Sequence, residues 1–207
     1  SDAINLKTSK LFEDTSSWYA ITVEIDTTQS TESDRAKIYV NGVQETAFGT
    51  STYPTQNLEL DVNAAAAQII GAKYSGSYST YFDGLLSQFI FVDGTAYAAS
   101  TFGSTNTVSG EWKPNANPTV SYGSNGFKLS FEDTSNLGDD TSGNTNDFTV
   151  SGSGTPTLDN PSNNFPFYNT LVRQSSNNNL NIMQGNLYSA GNGANNWRSA
   201  FMTIAAK

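Results

Sequence analysis

Residues 18–26 read WYAITVEID, and Tyr19, Ile21, Val23 and Ile25 alternate there with Ala20, Thr22 and Glu24. A period of two puts one set of side chains on one face only if the backbone is extended, so the segment predicts a half-buried strand. Residues 36–41, AKIYVN, repeat the pattern with Ile38 and Val40, and the polar stretch TTQSTESDR connects the two. Asn41-Gly42 then follows, a dipeptide that reaches positive φ at little cost and so predicts a tight hairpin turn. A chain that opens this way is committed to antiparallel pairing.

The same period recurs further on. Leu58, Leu60 and Val62 predict a strand over Gln56–Val62, and YFDGLLSQFIFVD (81–93), closed by Asp93-Gly94, predicts a central strand over Leu85–Val92. The Ala64–Ala67 run is one turn long and leads at once into Ile69-Ile70-Gly71, which suits a turn or short helical kink before another strand. Between Ala98 and Tyr122 the pattern fades around Glu111-Trp112-Lys113-Pro114 into a loop or internal boundary. It returns in GFKLSFED (126–133), with DFTV (147–150) as a short partner. Beyond Gly152 the sequence is rich in Asn, Ser, Gly and Pro, as an extended arm would be.

The chain of 207 residues contains no His and no Cys. That excludes His-based triads, Cys nucleophiles, thiolate or imidazole zinc sites, haem and iron–sulfur ligation, and disulfides. Lys+Arg 10 against Asp+Glu 19 leaves a formal charge of -9, so a nucleic acid would meet net repulsion. No apolar run approaches the ~20 residues of a membrane helix. The N-terminus SDAINLKTSK has no apolar stretch of signal-peptide type. The chain begins without Met, which suits a processed end or the edge of a larger polypeptide.

Four pieces stand in one order: Trp18 opening a strand that ends at Asp26, then AKIYVNGVQ (36–44), IIGA (69–72) and YFDGLLSQFIFVDG (81–94). This resembles the laminin-G-like branch of the concanavalin A-like lectin/glucanase superfamily. Its repeats carry a Trp-led strand, a Y-x-N-G hairpin, an I-G-x strand and an F-x-G-x-(I/L) strand. FKLSFEDTSNLGDDTSGNTNDFTV (127–150) resembles that family's opening strand and its D-x-S-G-N-x-N loop, placed here after the other strands. With FVDGTAY, TFGS, GEWKPN, YGSNGFKLSF and DNPSNNF, the arrangement is similar to multidomain tail-fibre and virion structural proteins of tailed bacteriophages. In those, a segment like NNWRSAFMTI (195–204) leads into another sandwich, so 1–207 is expected to be an interior fragment.

The resemblance implies an all-β fold, an antiparallel jelly-roll β-sandwich of concanavalin A-like type, incomplete or permuted. The sandwich is expected over 1–154, with its last strands in 126–150. An irregular Asn/Ser-rich arm, 155–207, is expected to lead toward a domain outside the chain. Trp18, Ile21, Val23, Ile38, Val40, Ile70, Leu86, Ile90, Phe127, Leu129 and Phe131 are the expected core. The apolar clusters of the arm are separated by Asn-rich spacers, so contacts outside its own fold are expected to order it.

The implied function is that of a non-enzymatic virion module, a tail fibre or capsid-appended fibre that contributes to attachment to host-surface glycan. The expected partners are other virion proteins or copies of the chain itself, a homotrimer by analogy with fibres, and the glycan. Nucleic acid and membrane insertion are not expected. The alternatives are a glycan depolymerase and a free-standing lectin. The glucanase branch uses carboxylates at Glu-x-Asp-x-x-Glu. Glu59-Leu60-Asp61 begins that pattern, but Ala64 occupies its third position. Glu24 and Asp26 read as solvated strand and loop positions, so no catalytic residue is expected.

Two constellations remain. The loop 139–147 concentrates oxygen ligands, with Asp139, Asp140, Asn144 and Asn146 as candidates for calcium, the one cofactor considered. The same residues suit an Asx-rich turn, the reading placed first. In KYSGSYSTYF (73–82), Tyr74 and Tyr78 could present aromatic faces to a sugar. Tyr74 and Tyr78 equally suit cover for the sheet edge, Tyr81, with Phe82, reads as a core plug at the strand entrance, and Trp18 and Trp112 are expected to be buried anchors.

Overall fold

The computed structural model describes residues 3–14, 17–63, 68–152, 154–162, 168–173, 180–183, 188–191 and 200–202. The Ala64–Ala67 run and the apolar stretches 165–167 and 197–199 lie outside the described residues. The chain divides into two compact units, one of Ser1–Leu11 with Tyr19–Pro156, the other of Phe12–Trp18 with Thr157–Lys207.

Strands of the first unit are β1 (Asn5–Thr8), β2 (Ile21–Ile25), β3 (Ala36–Val40), β4 (Val43–Glu45), β5 (Phe48–Thr52), β6 (Lys73–Tyr74), β7 (Tyr78–Ser79), β8 (Phe89–Phe91), β9 (Gly103–Thr105), β10 (Trp112–Pro114) and β11 (Phe127–Leu129). The second unit carries β12 (Tyr168–Arg173), β13 (Leu180–Met183), β14 (Tyr188–Gly191) and β15 (Ala200–Met202). Apart from these, the regular structure among the described residues is two 3-10 turns, Glu32–Asp34 and Ala99–Thr101, so the fold is all-β. Among the described residues all pairings are antiparallel, and the sheets are small: a β2-β3-β4 meander and the pairs β1-β5, β6-β7, β8-β11, β9-β10, β12-β15 and β13-β14.

The meander follows its sequence closely. Ile21 faces Val40, and Val23 faces Ile38. Asn41 (φ 50) and Gly42 (φ 75) form the two-residue turn that brings Val40 opposite Val43. Two positive φ values in succession match the right-handed twist of the flanking strands. The polar link before β3 is held by its own ends. Asp26 accepts bonds from the Thr28 amide and hydroxyl and from Gln29 Nε2. Arg35 donates to the carbonyls of Gln29, Ser30 and Pro54.

The core centres on β11, all three residues of which are buried. Phe127 stacks on Phe89 at 5.8 Å and Phe91 at 5.5 Å, the two outer residues of β8, and meets Phe148 tilted at 4.7 Å. Leu129 is 2% exposed. A second cluster forms where Trp112, on β10, covers the hairpin turn: a Cβ at Gly42 would overlap its ring, and one at Gly103 would lie 2.6 Å from it. The stretch read as a loop or boundary thus contains β9 and β10, whose Thr105–Trp112 register carries that ring.

Several expected strands are shorter or missing. Gln56–Val62 is not a strand, because Asn57 (φ 59) and Asn63 (φ 70) take left-handed conformations that break an extended run. Instead of Leu85–Val92 only Phe89–Phe91 pairs: its partner β11 is three residues long, and Phe131 (φ 57) turns the chain away just beyond it. Phe148 serves the core as a ring, not as part of a strand. In the stretch expected to be irregular, Leu180–Met183 and Tyr188–Gly191 form a regular hairpin ladder. Of the expected core, Val40, Phe127 and Leu129 are buried, and Trp18, Ile38, Ile70, Ile90 and Phe131 are half-buried. Ile21, Val23 and Leu86 are instead exposed, because nothing among the described residues covers their side chains. In the second unit, Trp18 Nε1 donates to the buried Asp159 carboxylate at 3.0 Å.

The packing of Trp112 on the turn makes a differential prediction. Gly42→Ala meets both a left-handed backbone and the indole, whereas Gly94 (φ 80) has open space around it. In urea unfolding, Gly94→Ala should lose about 1–2 kcal/mol, and Gly42→Ala about 2 kcal/mol more, the overlap adding to the backbone term.

Candidate functional site

The tyrosine hairpin is built by local sequence. Ser75-Gly76-Ser77 separates β6 from β7, Gly76 takes φ 79, and the Ser75 amide donates to the Ser77 carbonyl at 3.2 Å. This closure places Tyr74 directly opposite Tyr78, so both side chains leave the same face. Their ring centroids are 5.2 Å apart, tilted by 55°. They are 56% and 55% exposed. Beyond the hairpin, Thr80 (φ 51) bends the chain, and the Phe82 amide donates to the Gly71 carbonyl. Tyr81 is 70% and Phe82 55% exposed, so neither is the core plug expected of it. The bend at Thr80 turns them outward before β8 begins.

The oxygen-rich loop has a different character. Asp140 is buried, and its two carboxylate oxygens accept four bonds. Oδ1 takes the amides of Lys128 (2.8 Å) and Ser142 (2.9 Å), and Oδ2 takes the Ser142 hydroxyl and the Asn146 amide, both at 2.9 Å. The Asp140 amide donates in turn to Asp147 Oδ1. Asn144 Nδ2 donates to the carbonyls of Gly123 and Gly126, and Asn146 Nδ2 to those of Ser124 and Gly126. Asp140, Asn144 and Asn146 therefore lash residues 140–147 to the turn that precedes β11. Asp139 is half-buried beside them, and its carboxylate takes no part in these bonds.

Burial pushes the Asp140 carboxyl up, but the bonds from the Lys128, Ser142 and Asn146 amides and the Ser142 hydroxyl outweigh it and hold the group below its ordinary value of 3.8. The same negative charge, after burial itself, raises the nearby Tyr122 phenol. A cation at this loop would compete with four donors already seated on Asp140. Among the described residues no group of three or more acidic side chains is placed to hold a metal ion.

The other carboxylates considered for chemistry are dispersed. Glu24 accepts from Tyr39 Oη at 3.1 Å and pairs with Lys37 at 3.6 Å. Glu59 and Asp61 line an open cleft of about 480 Å³ with Ile25, Leu58, Leu60 and Val62. Sequence reasoning missed Lys128, a buried lysine whose Nζ donates to Asn117 Oδ1 at 2.7 Å, and Asp159, and it named Asp147 only as part of the loop without its bond to the Asp140 amide. Alternation in FKLSF puts a lysine on the face away from the phenylalanines, but the burial of that face comes from distant loops.

The lowered Asp140 carboxyl fixes the sign of a pH dependence. Its contribution is complete above 3.8, its ordinary value, and is lost as the pH falls through the lower folded value. Asp140→Asn should lose about 2–3 kcal/mol near neutrality, because an amide cannot accept from four donors and lacks the charge. The variant should also show a flatter fall in urea midpoint below that pH than the parent. Calcium in place of a chelator should leave the parent's melting midpoint unchanged to within about 1 °C, since binding to the folded state alone would raise it.

No protein-family profile, curated protein or solved structure matches the chain. A binding role for the chain therefore rests on the chemistry of these residues, and its wider context on the motifs of its sequence.

Proposed function

We propose that the chain is a non-enzymatic structural and adhesive module of a bacteriophage virion, a tail fibre or capsid-appended fibre, that meets host-surface glycan through the Tyr74–Tyr78 hairpin. Under this reading its small antiparallel sheets belong to a concanavalin A-like jelly roll. The observation that carries the binding role is the exposed, directly opposed tyrosine pair. Two strands of two residues each contribute little to a core, so stability does not explain aromatic side chains held there in water. A pyranose ring offers C–H groups to stack on a phenol face and hydroxyls to bond its Oη, and Tyr81 and Phe82 extend the apolar surface nearby. The charge of -9 favours a neutral or basic glycan over a polyanionic one. Among the described residues no helix is long and apolar enough to cross a membrane, and the partner this reading needs is a surface polysaccharide.

Glycan arrays followed by calorimetry test the reading. Tyr74→Ala with Tyr78→Ala should weaken binding by about tenfold or more, on the order of one lost stacking contact per ring. Because both side chains are more than half exposed, folding stability should change by less than about 0.5 kcal/mol. Unchanged glycan affinity in the double variant would remove the hairpin's role. Reducing ends released from host polysaccharide, and abolished by Glu59→Gln or Asp61→Asn in the cleft, would establish a depolymerase instead.

A further inference from the structure

The sequence contains three Asn-Gly pairs, at 41–42, 125–126 and 192–193, the last outside the described residues. In such a pair the glycine nitrogen can attack Cγ of the asparagine, because no Cβ hinders its approach. A C–N bond forms, ammonia leaves with the proton of the glycine N–H, and a cyclic succinimide results. Water then opens the ring at one or other carbonyl, which gives aspartate or isoaspartate. In a folded chain the step requires that the carboxamide and the following peptide can turn toward each other. The two described pairs differ in that freedom. Asn41 Oδ1 accepts the Ala20 amide at 2.9 Å, and the Asn41 amide donates to the Ala20 carbonyl at 2.8 Å, so both ends of the residue are held. The Trp112 ring covers Gly42 besides. Asn125 is exposed, and its carboxamide has no hydrogen-bond partner among the described residues. Its amide donates to Asp93 Oδ2 at 3.2 Å, but the peptide unit that joins it to Gly126 is bonded there through neither its C=O nor its N–H.

We propose that Asn125 is a site of spontaneous modification in the folded protein, converting through the succinimide to aspartate and isoaspartate while Asn41 persists, and that the conversion loosens the bonds around β11. Isoaspartate carries the backbone through the former side chain and so adds a methylene immediately before Gly126. The Gly126 carbonyl accepts from Asn144 Nδ2 at 2.8 Å and from Asn146 Nδ2 at 2.9 Å, and β11 begins at the next residue. A shift of that carbonyl breaks the two bonds that tie the 140–147 loop to the start of the strand. Each product also sets a new carboxylate beside Asp93, whose Oδ2 already holds the Asn125 amide. Like charges there weaken the link between Asp93 and this turn. Asp93 Oδ1 also accepts from Asn63 Nδ2 at 2.6 Å, so the same carboxylate secures the end of the 57–63 segment.

Peptide mapping of the full chain, aged in mildly alkaline buffer, tests the site. Aspartate and isoaspartate should accumulate at position 125 about tenfold or more faster than at position 41. In urea strong enough to unfold the chain both pairs are released, and they should convert at comparable rates. Equal conversion of the two in the folded chain, an Asn125 that persists there while the unfolded chain loses it, or a tenfold gap that survives in urea would each overturn the assignment. Asn125→Gln tests the consequence, since its longer side chain cannot close the same ring. The side chain at 125 is exposed and unbonded, so fresh variant and fresh parent should share one urea midpoint. On ageing, the parent's midpoint should fall in step with the fraction converted at 125, and the variant's should hold. Both chains keep Asn192-Gly193, so any change there cancels in the comparison. Converted parent that unfolds at the variant's midpoint would overturn the loosening of β11.

Discussion

The carboxylate of Asp140 holds together the part of the molecule that most resembles a conventional core. Its four bonds join the amide of Lys128, inside β11, to the loop that follows, and Asn144 and Asn146 of that loop reach back to the turn before β11. A buried carboxylate is stable only when such donors replace its water. Here they also fix where β11 begins, because its ladder with β8 spans only three residues. Phe127 can then stand between Phe89, Phe91 and Phe148, whose ring reaches it from the far end of the lashed loop. The polar clasp and the aromatic cluster meet in β11, where the Lys128 amide bonded to Asp140 directly follows Phe127.

Away from that centre the chain stabilises itself by local devices. The β3–β4 turn is capped by Trp112, the β2–β3 link by Asp26 and Arg35, and Trp18 in the second unit by Asp159. Each involves a few residues and little shared apolar surface, and the buried hydrophobic side chains among the described residues are few, Ala36, Val40, Ala99, Phe127 and Leu129, joined by Pro54 and Pro118. Among the described residues, small sheets held this way keep open edges and exposed apolar side chains such as Ile21, Val23 and Val43. A free-living globular domain would have to blunt or cover such edges. A module that works within an assembly can leave them for neighbours, and the aromatic hairpin for a ligand, which is the role proposed for this chain.

Sequence by itself determined what depends on neighbours along the chain. Alternation in ITVEI and AKIYV, with Asn41-Gly42 after them, was enough to place β2, β3 and the turn, because the period of two and the positive-φ dipeptide are local facts. FKLSF marked β11, Tyr74 and Tyr78 were legible as candidate sugar-facing aromatics though not as a cross-strand pair, and the composition excluded whole classes of chemistry. Only the tertiary structure decided what covers a face once it exists. Asp139 and Asp140 are adjacent residues of one type, and the Lys128 amide selects the second. Ile21 and Val40 share a face by periodicity, yet one is exposed and the other buried. Trp112 was legible as an aromatic in a Pro-flanked run, but not as the lid of a turn formed by Gly42. The physical reason is the same in each case: periodicity encodes which side chains point together, whereas burial and hydrogen bonding are settled by segments distant in sequence, whose approach no local pattern records.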